Sequence, residues 1–198
     1  MSHAWEGVPD STLYGCLLAS DHEPFLNWVS RLAADLVSRE VELVVTDAWQ
    51  YYNIAHDLAH LMARVAAAEA SAQLNRDILV LEFPVVPAAL APTAPRVQEY
   101  CSKTLEGASA AAKREAARRF PDVSGEVAEI EALEGAGAYD LERFFLPAPI
   151  RALSTPPAAK PPYECYGEAR VAAGLYRDVL RWQHAAPLLS VLAGRYER

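Results

Sequence analysis

Five histidines are spread through the 198 residues, and two of them stand four apart in the run His56-Asp57-Leu58-Ala59-His60. On a helix, positions i and i+4 share a face, so both imidazoles could reach one metal ion. The spacing is that of the HExxH pattern of zinc proteases. The acid between them is Asp57, one methylene shorter than glutamate and ill-suited to reach a metal-bound water. A protease of that kind also needs a downstream third ligand, for which Glu164 and Glu168 are the candidates. The plainer reading puts Asp57 near a helix N-terminus, where the helix dipole favours an anion, with the histidines packed or solvated. A second group, Ser20-Asp21-His22-Glu23, could hold a metal or supply a base, or cap a helix. A third group comprises Tyr163, Glu164, Tyr166, Glu168, Arg170 and His184. There Arg170 and Arg181 could meet an anionic substrate group or pair with nearby acids. The stretch Trp49-Gln50-Tyr51-Tyr52-Asn53 supplies aromatic and amide groups that wall a pocket or plug a core.

The elements that must position these groups are legible in outline. Residues 13–19 (LYGCLLA) read as a strand buried on both faces. From Pro24 to about Arg39, Phe25, Trp28, Val29, Leu32, Leu36 and Val37 recur at helical spacing. Residues 41–46 form a second strand that turns polar at Thr46 and Asp47, and an Ala- and Leu-rich helix follows over 54–72. Residues 78–83 (ILVLEF) read as a third strand stopped by Pro84. This is a βαβαβ core over 12–86 with parallel pairing and right-handed crossovers. In that core the ends of strands 13–19 and 41–46 lie side by side, where open α/β folds bind their ligands. Asp21, His22, Asp47 and His56 would then share one crevice.

The remainder reads as a Pro/Ala-rich loop over 84–95 and a long helical stretch over 96–120 with a mixed-charge face at 113–119. A helix over 123–133 follows, capped by Ser124 and closed by Gly135 and Gly137. Residues 139–146 are a strand or a helical turn, 147–162 a proline-rich connector, and 163–198 a helical segment with a kink or break at Pro187. The expected architecture is one α/β domain over 1–198, a Rossmann-like sandwich with a small, mainly parallel sheet and a helix-rich C-terminal half. A mainly helical protein is the alternative.

Composition removes several function classes. Hydrophobic residues make up 52% and charged residues 22%, an ordinary globular balance. A net charge of −8 disfavours a nucleic-acid partner, whose backbone demands a basic patch. No apolar run approaches the roughly 20 residues of a membrane helix, so no membrane partner is expected. Cys16, Cys101 and Cys165 lie far apart. They fit a reducing cytoplasm better than a disulfide framework and exclude a cysteine-based zinc motif. The expected partner is a small-molecule substrate, and a homo-oligomer is compatible with the sequence.

The order of features resembles the LmbE-like, or PIG-L-type, zinc deacetylases of N-acetylglucosaminyl and related amides. Their first strand ends in a motif of the form AHPDDE and their second in TDG. Here LASDHE (18–23) and VVTDA (44–48) stand in those places, and YYNIAHD, LEFP and YECYGEARVAAGLY look like elements of a divergent branch. The resemblance implies zinc at His22 and His56, helped by Asp47, with Asp21 as general base and His184 protonating the leaving group. The metal would polarise an amide carbonyl and acidify a bound water. Trp49, Tyr52, Asn53, Asp57, Tyr163, Glu164, Glu168 and Arg170 would contact substrate. The motif departs from the family at Ala19, in the place of the first metal histidine, at Ser20 in place of proline, and at His22 in place of a metal-binding aspartate. The alternative is therefore a metal-free protein on the same fold. It would be a small-molecule binder, or an enzyme using Asp21, His22 and His56 as acid and base groups for an elimination or cyclisation.

Overall fold

The computed structural model describes residues 8–92, 94–95, 97–119, 124–135, 137–153 and 155–196. In chain order the elements are α1 (Asp10–Leu18), α2 (Glu23–Ser38), β1 (Leu43–Asp47), α3 (Ile54–Leu74), β2 (Leu79–Phe83), β3 (Gln98–Thr104), α4 (Gly107–Arg119), α5 (Ser124–Glu134), β4 (Leu141–Leu146), α6 (Ile150–Leu153), α7 (Pro162–Ala172) and α8 (Trp182–Tyr196). The fold is mixed α/β with a helix-rich C-terminal half, as the sequence patterns predict.

The centre is the β1–α3–β2 unit. Val44 and Val45 suit a strand, and β1 pairs in parallel with β2 in register from Leu43↔Leu79 to Asp47↔Phe83. Asn53 starts α3 by accepting the N–H of Ala55 at 2.9 Å, and Asn75 ends it in the left-handed conformation. Both are favoured caps. Residues on every side of α3 are buried, as expected of a helix enclosed by neighbours. The core runs from Leu13 and Leu17 through Phe25, Val29 and Leu58 to Leu188 and Leu192, so α1, α2 and α8 all pack around α3. On the sheet, Leu43, Val45 and Leu79 remain exposed.

Several expectations change. Residues 13–19 are not a strand, because 10–18 are helix α1. Leu13 and Leu17, one turn apart, are buried, whereas Leu18 is 40% exposed. An i, i+4 pair facing the core is the signature of a helix with one buried stripe, and a run this apolar cannot be told from a buried strand by hydropathy alone. The expected βαβαβ core contracts to one βαβ unit, and no strand end carrying Asp21 and His22 lies beside the end of β1.

The expected helix over 96–120 is split, with 98–104 forming β3 ahead of α4. Residues 141–146 supply its partner, and β4 enters between β2 and β3 to give the order β1-β2-β4-β3. Both pairings of β4 are antiparallel, so the sheet is mainly antiparallel with one parallel pair. The mixed-charge face of α4 ties this end together through Lys113–Glu142 (2.7 Å), Arg114–Asp140 (3.0 Å) and Arg118–Glu131 (2.8 Å).

The C-terminal helical segment breaks at 173–181, and α8 continues through Pro187. The proline-rich connector contains the short α6. Gly135 closes α5 at φ 85°, and Val123 lies outside the described residues. No helix among the described residues is long and apolar enough to cross a membrane.

Candidate functional site

Parallel pairing brings the carboxyl ends of β1 and β2 together, and the first two turns of α3 stand over them. Thr46 lies opposite Glu82 and Asp47 opposite Phe83. Asp47 Oδ2 is 2.6 Å from His56 Nδ1, while Asp47 O is 2.8 Å from His60 Nδ1. One residue at a strand end thus holds both histidines of the HDLAH run. With Nδ1–H donated to the carboxylate, His56 keeps its Nε2 as acceptor, and no protein group among the described residues bonds it. The His56 side chain is 41% exposed. The hydrogen bond it donates to Asp47 raises its pKa, and burial works in the opposite direction.

His60 has a different environment. It is fully buried, and burial, reinforced by Arg64, drives its pKa down to about 3. The ring is therefore neutral, and its 3.5 Å approach to Glu82 Oε2 is not an ion pair. Its Nε2 faces Arg64 Nη1 at 3.4 Å, and the same Nη1 donates to Ala148 O at 2.7 Å. Burial pushes the Glu82 carboxyl up to about 7 against the pull of Arg64. His60 is the hinge of a buried His60–Arg64–Glu82 cluster beneath the surface pair Asp47–His56.

Asp57 organises the loop between β1 and α3. Its Oδ1 accepts the N–H of Gln50 at 2.8 Å and that of Tyr51 at 3.3 Å. Tyr51 has φ 55°, a left-handed conformation that costs a bulky side chain on the order of 1 kcal/mol or more. The loop is held in that shape from the helix. Gln50 in turn fastens the loop after β2, its Oε1 accepting from Val85 and Val86 and its Nε2 donating to Val86 O at 2.7 Å. Burial pushes Asp57 up to about 7, overcoming the two backbone N–H groups, and its Oδ2 has no partner. Ala48, Gln50, Tyr52, Asn53, His56, Asp57 and Val85 line a shallow crevice at this point.

Of the substrate-contact expectations, Tyr52, Asn53 and Asp57 reach the crevice with His56. Trp49 is buried, edge-to-face with Tyr51 and His60, and so belongs to the core. Tyr163 is buried, near enough to Tyr51 and Asp57 for their charge to add to the burial that raises its pKa. Glu164 accepts Trp182 N at 2.8 Å at the start of α8, and Glu168 pairs with Lys160 and Arg181. His184 accepts the N–H of Arg181 at 3.0 Å. These are helix-start and strap contacts. Asp21 Oδ1 accepts the N–H of Glu23 at 3.2 Å, and His22 is the N-cap residue of α2 with its Nε2 buried and unpartnered. Among the described residues, no hydrogen bond or ion pair joins Asp21, His22 or His184 to Asp47 or His56.

The donor set does not fit the implied zinc. Among the described residues no three His, Cys, Asp or Glu side chains gather at metal-binding distances. Asp47 is engaged with His56, and His22 is not brought to it. Nor does HDLAH fit a zinc protease, since the guanidinium of Arg64 occupies the approach to His60 Nε2 and Asp57 is turned to backbone N–H groups. Glu82, Arg64 and Gln50 carry much of the site's electrostatics and shape; sequence reasoning placed Gln50 only among the loop amides and missed Glu82 and Arg64. The signals available were a glutamate ending an otherwise apolar strand and an arginine within an apolar helix.

No protein-family model, curated protein or solved structure matches the chain. The resemblance to LmbE-like deacetylases rests on its motifs alone.

Proposed function

We propose that the chain is an acid–base enzyme acting on a small polar metabolite, with His56 as the proton-transfer group. The observation that carries this reading is the 2.6 Å contact between Asp47 Oδ2 and His56 Nδ1 at the edge of a crevice. A carboxylate on Nδ1 fixes the tautomer, makes Nε2 the base and stabilises the imidazolium formed when Nε2 takes a proton. Such a base is worth roughly 10²–10⁴ in rate. Asp57, whose Oδ2 is buried and unpartnered behind this crevice and whose carboxyl burial pushes up to about 7, is the second titrating group beside it. A histidine base whose pKa a carboxylate raises, beside a carboxyl that burial pushes up to about 7, suits a proton abstraction or an elimination.

A second reading keeps the amide-hydrolase resemblance with His56 as the one ligand this site offers, since an imidazole held by a carboxylate on one nitrogen and open on the other is also how a zinc-ligating histidine is presented. Elemental analysis of protein purified without chelator separates the two. About one zinc per chain favours the hydrolase, and no uptake on titration removes it.

The proposal itself is tested by ligand-induced thermal shifts against a panel of polar metabolites, followed by turnover assays on those that bind. His56→Ala and Asp47→Asn should leave binding within a few-fold and lower turnover by at least a hundredfold. Turnover that survives His56→Ala would defeat the reading.

A further inference from the structure

Arg170 lies in the last turn of α7. Beyond the helix, Gly174 adopts φ 72°, Leu175 N donates to Arg170 O at 2.9 Å and Gly174 N donates to Val171 O at 2.9 Å. This crossed pair of bonds is a Schellman turn, which needs a left-handed residue at the glycine. The turn brings Tyr176 against Tyr166, edge-to-face at 6.4 Å between ring centroids. The Arg170 guanidinium sits over both rings, 5.2 Å from Tyr166 and 5.7 Å from Tyr176. Cation–π contacts of this kind hold a guanidinium in place without neutralising it.

The charge is left without an acid. The Nε of Arg170 is buried and has no hydrogen-bond partner, and no carboxylate pairs with the group among the described residues. Arg181 meets Glu164 and Glu168, Arg195 meets Glu69, and Arg143 meets Glu99. In a chain of net charge −8, a half-buried arginine without a carboxylate is out of keeping with its neighbours.

We propose that Arg170, framed by Tyr166 and Tyr176, is the subsite for an oxyanion, a carboxylate or a phosphate, of the proposed enzyme's substrate. The guanidinium fork matches either group in a bidentate fashion, and the exposed tyrosine hydroxyls supply further donors. The word substrate rests on the acid–base reading, whereas anion binding at Arg170 does not.

The test titrates isotopically labelled protein with inorganic phosphate and, separately, with acetate at constant ionic strength, following the arginine Nε–H resonances. Arg170→Gln assigns the signal, and a thermal melt confirms that this variant is folded. A saturable shift at Arg170, at least tenfold tighter than any response of the exposed Arg31 and Arg39, is the expected result. Phosphate and acetate arms report which oxyanion is preferred. An equal response at all three arginines, an adventitious ion only, overturns the subsite, as does the absence of saturation with both probes. His56→Ala should retain the anion titration. Anion binding with no turnover of any polar metabolite would sink the acid–base reading and leave the subsite standing. Turnover that depends on His56 but keeps its KM in Arg170→Gln would sink the subsite alone.

Discussion

Asp57→Asn should flatten the dependence of stability on pH. The asparagine keeps the oxygen that accepts Gln50 N and Tyr51 N, so the loop retains its anchor while the ionisable group is gone. Asp57 titrates at about 7 in the fold against an ordinary 3.8. A carboxyl whose folded pKa is raised binds its proton more tightly folded than unfolded. Stability is therefore highest below the unfolded value and falls as pH rises, until the penalty is complete above the folded value. With those two values, linkage gives a loss of about 2–3 kcal/mol between pH 5 and pH 8. Urea unfolding at the two pH values measures it. At an m-value of about 2 kcal/mol per molar, the wild-type midpoint should fall by roughly 1 M more than that of the variant. Glu82 and His56 also have raised values and push the slope the same way, so the comparison is the difference between the two proteins. Equal slopes would mean that Asp57 is ionised in the fold well below neutrality, and the argument from its burial would fail.

Other perturbations separate the parts. Asp47→Asn removes the main cause of the raised His56 pKa, so an NMR titration of the imidazole should show it falling toward or below its ordinary 6.5; an unchanged value would deny the contact in solution. Leu17→Ala should cost about 2–5 kcal/mol, while the exposed Leu18→Ala should cost under about 0.5 kcal/mol; equal losses by chemical denaturation would restore a strand buried on both faces. Arg64→Met removes the donor to Ala148 O and His60 Nε2 and leaves Glu82 without its cation. It should destabilise by about 3–5 kcal/mol at pH 8 and by visibly less at pH 5, where Glu82 is protonated.

The centre of the fold was legible because its signals are local. Strand 41–46 carries β-branched residues, Asn53 and Asn75 bracket α3, and the polar turn at Thr46 and Asp47 marks a strand end. What failed were judgements that depend on partners distant in sequence. A short apolar run such as 13–19 is strand or helix according to what it packs against. Residues 98–104 become a strand only because 141–146 arrive some forty residues later to pair with them. The first of these errors moved the expected site, since Asp21 and His22 were placed by a strand that does not exist. His56 and Asp47 were found because one loop joins them, while Glu82, which comes from the neighbouring strand, was not. The histidine spacing drew attention to metal chelation, but the tertiary fact that decides the matter is an arginine one turn further along the same helix.

The two crevice loops do not close independently. Through Gln50 the segment after β2 takes its position from the segment after β1, and Asp57 fixes that segment to α3. Binding here should therefore cost little ordering entropy and proceed by simple encounter, with association rates set by diffusion and charge. Selection among metabolites would then fall on the fit of a ready-made surface, and enlarging the accepted set would require a change at Gln50 or Asp57 more than at the residues that touch the ligand.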